Sequence, residues 1–141
     1  MNAELPLRRL DPAAVLPTRA HEGDAGLDLY GLEDAVLDPG AGALLRTGVA
    51  VAVPVGHVGL ICDRSSLARR GLKTAGGVID AGYRGELGVL VWNLSREPQA
   101  VKRGERIAQL LILPIATPSP VETGELDATA RGAGGFGSTG R

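Results

Sequence analysis

The sequence predicts an all-β domain, a sandwich, barrel or jelly roll carrying one short helix, on three observations. Short apolar runs recur between turn signals, and 21 glycines and 9 prolines interrupt the chain too often for long helices. No helical pattern separates the runs, so the strands pack on one another instead of alternating with helices. The 141 residues give room for one domain, at roughly 100–200 residues each. Hydrophobic residues at 44% against 22% charged exclude a disordered chain.

The elements follow in order. Strands are predicted at residues 35–37 before Asp38-Pro39-Gly40, at 49–53 before Pro54, and at 58–62. Residues 86–93 and 107–113 are rich in large apolar side chains, and the second run stops at Pro114. Residues 65–71 predict the helix, with a serine as N-cap and Gly71 as the stop. Gly76-Gly77 between short runs is a hairpin signal. Residues 1–127 make up the β domain. From residue 128 the character changes: of the last fourteen residues five are glycine and six alanine, serine or threonine, which leaves a mobile arm with little to pack.

Composition also bounds the chemistry. A net charge of −1 excludes whole-domain attraction to nucleic acid or to an anionic membrane. No apolar run approaches the length of a membrane span and no signal-peptide pattern opens the chain, so a cytoplasmic protein is expected. Cys62 is the only cysteine, which rules out an intrachain disulfide; its neighbours Leu60 and Ile61 predict a reduced core thiol. With His21 and His57 the only histidines, a zinc site of the Cys/His type is excluded.

Three clusters carry candidate chemistry. Arg64, Ser65 and Ser66 bring a guanidinium, two hydroxyls and main-chain amides together at a helix start, which suits a polyphosphate and is equally compatible with plain capping. In residues 74–85, small residues let a ligand approach the main chain of Gly77, Val78 and Ile79. Asp80 there reads as a turn aspartate or as a general base for a water attacking phosphorus. Tyr83 reads as a half-buried strand residue or as a platform under a sugar. In the arm, Arg131, Ser138 and main-chain amides such as that of Gly137 can wrap phosphates. Phe136, the only phenylalanine, calls for a partner there, either a neighbouring subunit or a planar ligand on which its ring stacks. The formal Gly132-x-Gly134-x-x-Gly137 fingerprint follows no predicted strand and opens no helix, so its dinucleotide meaning is discarded.

Five stretches, Ala25-Gly-Leu-Asp-Leu29, Arg64-Ser-Ser-Leu-Ala68, Gly77-Val-Ile-Asp-Ala-Gly-Tyr-Arg-Gly85, Arg103-Gly-Glu-Arg-Ile-Ala-Gln-Leu110 and Arg131-Gly-Ala-Gly-Gly-Phe-Gly-Ser-Thr-Gly140, resemble in order the five motifs of the trimeric dUTP diphosphatases (dUTPases). The resemblance implies a jelly-roll-like subunit, a homotrimer, and three sites built between subunits, each closed by an arm. It implies that Asp80 is the base for attack on the α-phosphorus of dUTP, giving dUMP and pyrophosphate. Arg64, Ser65 and Gln109 match phosphate contacts, Arg131 and Ser138 the γ-phosphate contacts of the arm, and Phe136 the ring over uracil. Asp28 matches a supporting aspartate near the phosphates. Tyr83 would lie under the deoxyribose, and the main chain at Gly77 to Ile79 would read uracil. Magnesium is expected on the triphosphate itself, because Mg²⁺ keeps several waters and prefers substrate phosphates to an all-protein cage.

Two departures stand out. Asp63 occupies a position where the family often has proline, and it can pair with Arg64 or Arg69. The compact spacer from Arg64 to Asp80 also resembles the sibling dCTP deaminases, whose glutamate three residues before an asparagine is Leu90 in this chain. An apolar side chain cannot shuttle a proton, which disfavours deamination. A regulatory protein that binds nucleotides without turnover is the alternative of another class.

Overall fold

The computed structural model describes residues 4–140, so the outermost residues of the two predicted segments, 1–3 and 141, lie outside the described residues. Within them the chain runs β1 Leu7–Arg9, β2 Leu27–Tyr30, β3 Ala35–Leu37, β4 Gly42–Arg46, β5 Val49–Val51, β6 His57–Cys62, α1 Ser65–Arg69, β7 Leu72–Ala75, β8 Val78–Ile79, β9 Gly88–Asn93, β10 Gln99–Val101 and β11 Arg106–Pro114. The all-β architecture with one short helix is as the sequence predicts, and all five predicted strands are present.

The strands form a four-stranded sheet in the order β2-β11-β6-β8, a three-stranded sheet β4-β9-β7, and two ribbons, β1-β5 and β3-β10. All the pairings are antiparallel. One core joins them: Leu29 from β2, Leu37 from β3, Leu72 from β7, Val89 and Val91 from β9, Val101 from β10, and Ile107 and Leu110 from β11 are all buried. Each such side chain contributes about 1.5–3 kcal/mol by leaving water. In β9 the alternation is strict. Val89, Val91 and Asn93 face the core, while Leu90 and Trp92 face outward.

Two local expectations are corrected. Neither serine caps α1: the N-cap residue is Arg64, which makes no side-chain capping bond, and Ser65 and Ser66 stand inside the first turn with their hydroxyls left for other partners. Gly71 does stop the helix, at φ +87° with its N–H donating to the Ala68 carbonyl. Gly76-Gly77 closes no hairpin, because β7 pairs with β9 and β8 pairs with β6. The two glycines, at φ +67° and +96°, carry the chain from one sheet to the other. A Cβ on Gly77 would lie 2.8 Å from the Ile61 carbonyl oxygen, so a side chain there would push β8 off β6.

Beyond β11 the described chain forms no helix or strand. The hydrogen bonds made by residues 128–140 stay inside that segment, and Phe136 is fully exposed at φ +52°.

The buried end of β9 is held by a single amide. Asn93 donates to the carbonyls of Leu37 (2.9 Å) and Glu97 (2.8 Å), and its Oδ1 accepts from the Ser95 N–H and hydroxyl. Asn93→Ala leaves those groups without a partner and is expected to cost about 2–3 kcal/mol, read as a drop of roughly 5–10 °C in thermal midpoint.

Candidate functional site

A bulge in β11 builds the first half of the site. Arg106 opposes Tyr30 and Ala108 opposes Leu29, so Ile107 is an extra residue in the ladder and both Ile107 and Ala108 turn inward. In a regular strand Arg106 and Gln109 would point to opposite faces; the extra residue brings both to one cleft. That cleft, open and about 370 Å³ in volume, is lined by Asp24, Gly26, Asp28, Arg64, Ser65, Ser66, Arg106 and Gln109 among others. The sequence does not single out Arg106, because nothing in the alternation of β11 announces the bulge.

Charge is concentrated here by pairing. Asp28, on β2, accepts from Arg64 Nε at 3.0 Å, and its second oxygen lies 3.6 Å from Arg106 Nη1. The Arg64 and Asp28 side chains are only 22% and 13% exposed, so the pair fixes the guanidinium instead of leaving it to wander in solvent. Arg64 Nη1 also reaches the Ser66 hydroxyl at 3.3 Å. Gln109 donates Nε2 to the Asp63 carbonyl at 2.8 Å. Its Oε1 occupies the space a side chain on Gly26 would fill, 2.0 Å from an ideal Cβ there. Two guanidiniums, two hydroxyls and an amide around one bound carboxylate make an anion-binding surface.

The second half is a different cleft, about 460 Å³ in volume and lined by Leu44, Val78, Ile79, Asp80, Tyr83, Glu86 and Gly88. Asp80 follows β8 and is exposed; its carbonyl accepts the Tyr83 N–H at 3.1 Å, so the turn role is present and the carboxylate remains available to the cleft. Tyr83 lies in the turn segment after Asp80, not on a strand, with its hydroxyl donating to the Glu86 carbonyl at 2.7 Å. Glu86 in turn receives Arg46 Nε at 3.1 Å and Nη2 at 2.9 Å, and this hydrogen-bonded charge pushes the Arg46 guanidinium further up. β8 is the edge of its sheet. Gly77 O accepts from Ile61 N at 2.8 Å. By the alternation of an antiparallel ladder, Val78 is then the residue whose N–H and C=O face away from β6.

The sequence-derived residues therefore separate. Asp28, Arg64, Ser65, Ser66 and Gln109 meet in the first cleft; Val78, Ile79, Asp80 and Tyr83 meet in the second. Gly77 backs the second cleft through β6 without lining it, and Arg131, Phe136, Gly137 and Ser138 line neither. Cys62 is half-buried at the end of β6 instead of a core thiol. Among the described residues no group of three or more His, Cys, Asp or Glu could hold a metal ion. No helix is long and apolar enough to cross a membrane.

Residues 13–140 match the family model dUTPase. The chain belongs to the dUTPase family. It is 54% identical over 140 residues to the deoxyuridine 5′-triphosphate nucleotidohydrolase of Nocardia farcinica, covering 96% of this chain and 85% of that one. It is 52% identical over 149 residues to the protein of the same name from Mycobacterium marinum, covering 99% and 97%. Among solved structures, a variant of the Staphylococcus bacteriophage 80alpha dUTPase with dUpNHpp superposes at a TM-score of 0.93, with 33% identity over 99% of this chain and all of that one. The phage phi11 dUTPase, at a TM-score of 0.84, 31% identity, 89% of this chain and all of that one, is described with a structural Mg(II) ion.

Against that family Asp63 is the departure, and it pairs with neither Arg64 nor Arg69. Its carboxylate takes the Lys73 ammonium at 2.6 Å and the Thr74 N–H and hydroxyl at 2.7 Å each. Partial burial pushes its carboxyl up, but the bonds from Lys73 and Thr74 outweigh this and hold it below the usual carboxylate range. The stability this contact supplies is thus present above the ordinary carboxylate pKa and is lost as pH falls through the lowered one.

Gly26 gives the direct test of the first cleft. Gly26→Ala must expel the far end of Gln109 and is expected to weaken inorganic triphosphate binding about tenfold, the loss of one oriented hydrogen bond, in isothermal titration. The change in thermal stability should stay within about 1 kcal/mol, since a flexible side chain at a surface cleft does the moving.

Proposed function

We propose that this chain is the subunit of an enzyme that hydrolyses dUTP to dUMP and pyrophosphate at sites shared between copies of the chain. The observation that carries this reading is the separation of phosphate-type and nucleoside-type residues into two clefts with no common lining residue. A triphosphate ester needs both at once, and apposing two copies supplies both.

In this reading Asp80 takes a proton from a water as it attacks the α-phosphorus, because its exposed carboxylate is the acidic group beside the nucleoside cleft that no other side chain neutralises among the described contacts. Arg64, Ser65, Ser66 and Gln109 hold the phosphates, with Asp28 fixing Arg64; Arg106 joins them from the bulge. The outward N–H and C=O of Val78, flanked by Gly77 and Ile79, meet the donor and acceptor edge of uracil; cytosine would leave them mismatched. Tyr83, tethered through its hydroxyl to Glu86, packs under the deoxyribose. The arm of residues 128–141 then closes over the site, with Arg131, Gly137 and Ser138 on the γ-phosphate and Phe136 on the base. Magnesium arrives on the triphosphate and offsets its charge, consistent with a cleft whose Asp28 is already occupied by arginines.

A homotrimer fits the outer face of the β4-β9-β7 sheet. Leu44 stands opposite Leu90, and the Trp92 ring lies across Gly42, all of it half or more exposed to water in one copy. Leu90 stands in that face where the deaminase glutamate would be, so the chain carries no proton carrier for dCTP at that position. A cytoplasmic location suits the free Cys62.

Pyrophosphate release is to be measured with magnesium and dUTP, dCTP, dTTP and UTP separately. Release from dUTP alone is expected; ammonia from dCTP would support the deaminase, and saturable binding without product a regulatory protein. Asp80→Asn should abolish turnover while keeping nucleotide affinity, and Arg64→Ala should lose affinity. When these two inactive variants exchange subunits, activity should return, since a site joining the intact phosphate cleft of one to the intact Asp80 of the other is restored; no recovery would place the whole site in one chain. Truncation after Ala130 should leave a folded oligomer with little turnover.

A further inference from the structure

We propose that Asp63 is a positioning residue that holds Gln109 and the Arg64 loop in place for the phosphates, acting through its side chain and main chain together; this rests on the reading above. Asp63 joins β6 to α1 and directly precedes Arg64. On one side its carboxylate receives three hydrogen bonds from β7, two from Thr74 at 2.7 Å and one from Lys73 at 2.6 Å. On the other its carbonyl receives Gln109 Nε2 at 2.8 Å.

The placement matters because β7 is an edge strand of the three-stranded sheet, while β6 and β11 belong to the four-stranded one. The Thr74 N–H on that free edge would otherwise lack a strand partner, and Asp63 supplies it. One residue thereby ties the two large sheets together where the phosphate loop leaves β6. Proline at this position would stiffen the loop from within, by fixing φ. Asp63 stiffens it from outside, by anchoring it to β7.

The charge is handled as well. The carboxylate is absent from the lining of the phosphate cleft and faces the Lys73 ammonium, so it does not repel incoming phosphates. Without the anchor, the carbonyl that orients Gln109 is free to swing, and the amide and the neighbouring Arg64 lose their fixed aim. Such a loss falls equally on substrate and transition state, which raises KM and leaves kcat in place.

The test is steady-state pyrophosphate release from dUTP by the wild-type protein and by Asp63→Ala, Asp63→Asn and Thr74→Val. Asp63→Ala should raise KM about tenfold with kcat within about twofold, one hydrogen bond's worth of orientation. Asp63→Asn still accepts from Thr74 and should recover most of the loss; Thr74→Val should reproduce part of it. A lowered thermal midpoint with unchanged KM in Asp63→Ala would show a merely structural contact and overturn the proposal, as would an Asp63→Asn no better than Asp63→Ala. If Asp63→Ala does not fold, Thr74→Val decides in the same way, because it removes one hydroxyl bond from the same carboxylate. An inactive wild-type protein would remove the dUTP reading itself, whereas an active wild type with an unaltered Asp63→Ala removes this inference alone.

Discussion

The phosphate cleft depends on one extra residue in β11. Ile107 is inserted between Arg106 and Ala108, and burying its side chain in the core is what holds the bulge in place. A bulge leaves main-chain groups off the ladder and would relax toward regular pairing if nothing opposed it. What opposes it is burial: regular alternation would turn one of Ile107 or Ala108, both about fully buried, out to solvent. The hydrophobic core thus dictates where two polar side chains on the opposite face point. A change confined to the apolar face would reach the polar cleft by this route.

The ion pairing inside the cleft follows from the same economy. Two arginines brought to one partly dry surface would repel each other, and each would lose hydration. Asp28, set between them on the neighbouring strand, offsets both effects while leaving a net positive surface. It cannot offset more than that without cancelling the attraction for an anion. This explains why the other nearby carboxylate, Asp63, is turned to the far side and given its own lysine. Were Asp63 to face inward, the cleft would hold as many fixed negative charges as the two guanidiniums can balance, before Asp24 is counted, and a triphosphate would gain little by entering.

Much of the molecule is legible in the sequence. The five apolar runs become β3, β5, β6, β9 and β11 because burial on at least one face is written in their composition, and Gly71 ends the helix because its left-handed conformation favours glycine. β1, β2, β4, β7 and β10 are not visible, since they are short and mixed in polarity and take their strand form from partners distant in the chain. Gly76-Gly77 misleads for a related reason: two glycines license positive φ, yet the destination of the following strand is set by which sheet edge is open. Of the site, the residue types and their grouping by motif are legible. Arg106 is not, because its aim depends on a bulge that only packing defines. The partner of Asp63 is not, because Lys73 and Thr74 reach it across the gap between two sheets.

The division of the site between two clefts is itself a consequence of using sheet edges for recognition. Val78 can present its N–H and C=O to a ligand only because β8 has no strand on its far side. An open edge of that kind invites pairing with other chains. The fold limits the hazard by making β8 two residues long and following it at once with Asp80, whose charge discourages a further strand. It also leaves little protein beside that edge to build a phosphate pocket, which must come from elsewhere. The long strands β6 and β11 have the rigidity to support such a pocket, but their pairing partners occupy both of their edges. Specific base reading and firm phosphate binding therefore call for different places on this chain, and association of copies is the economical way to bring them together around one ligand.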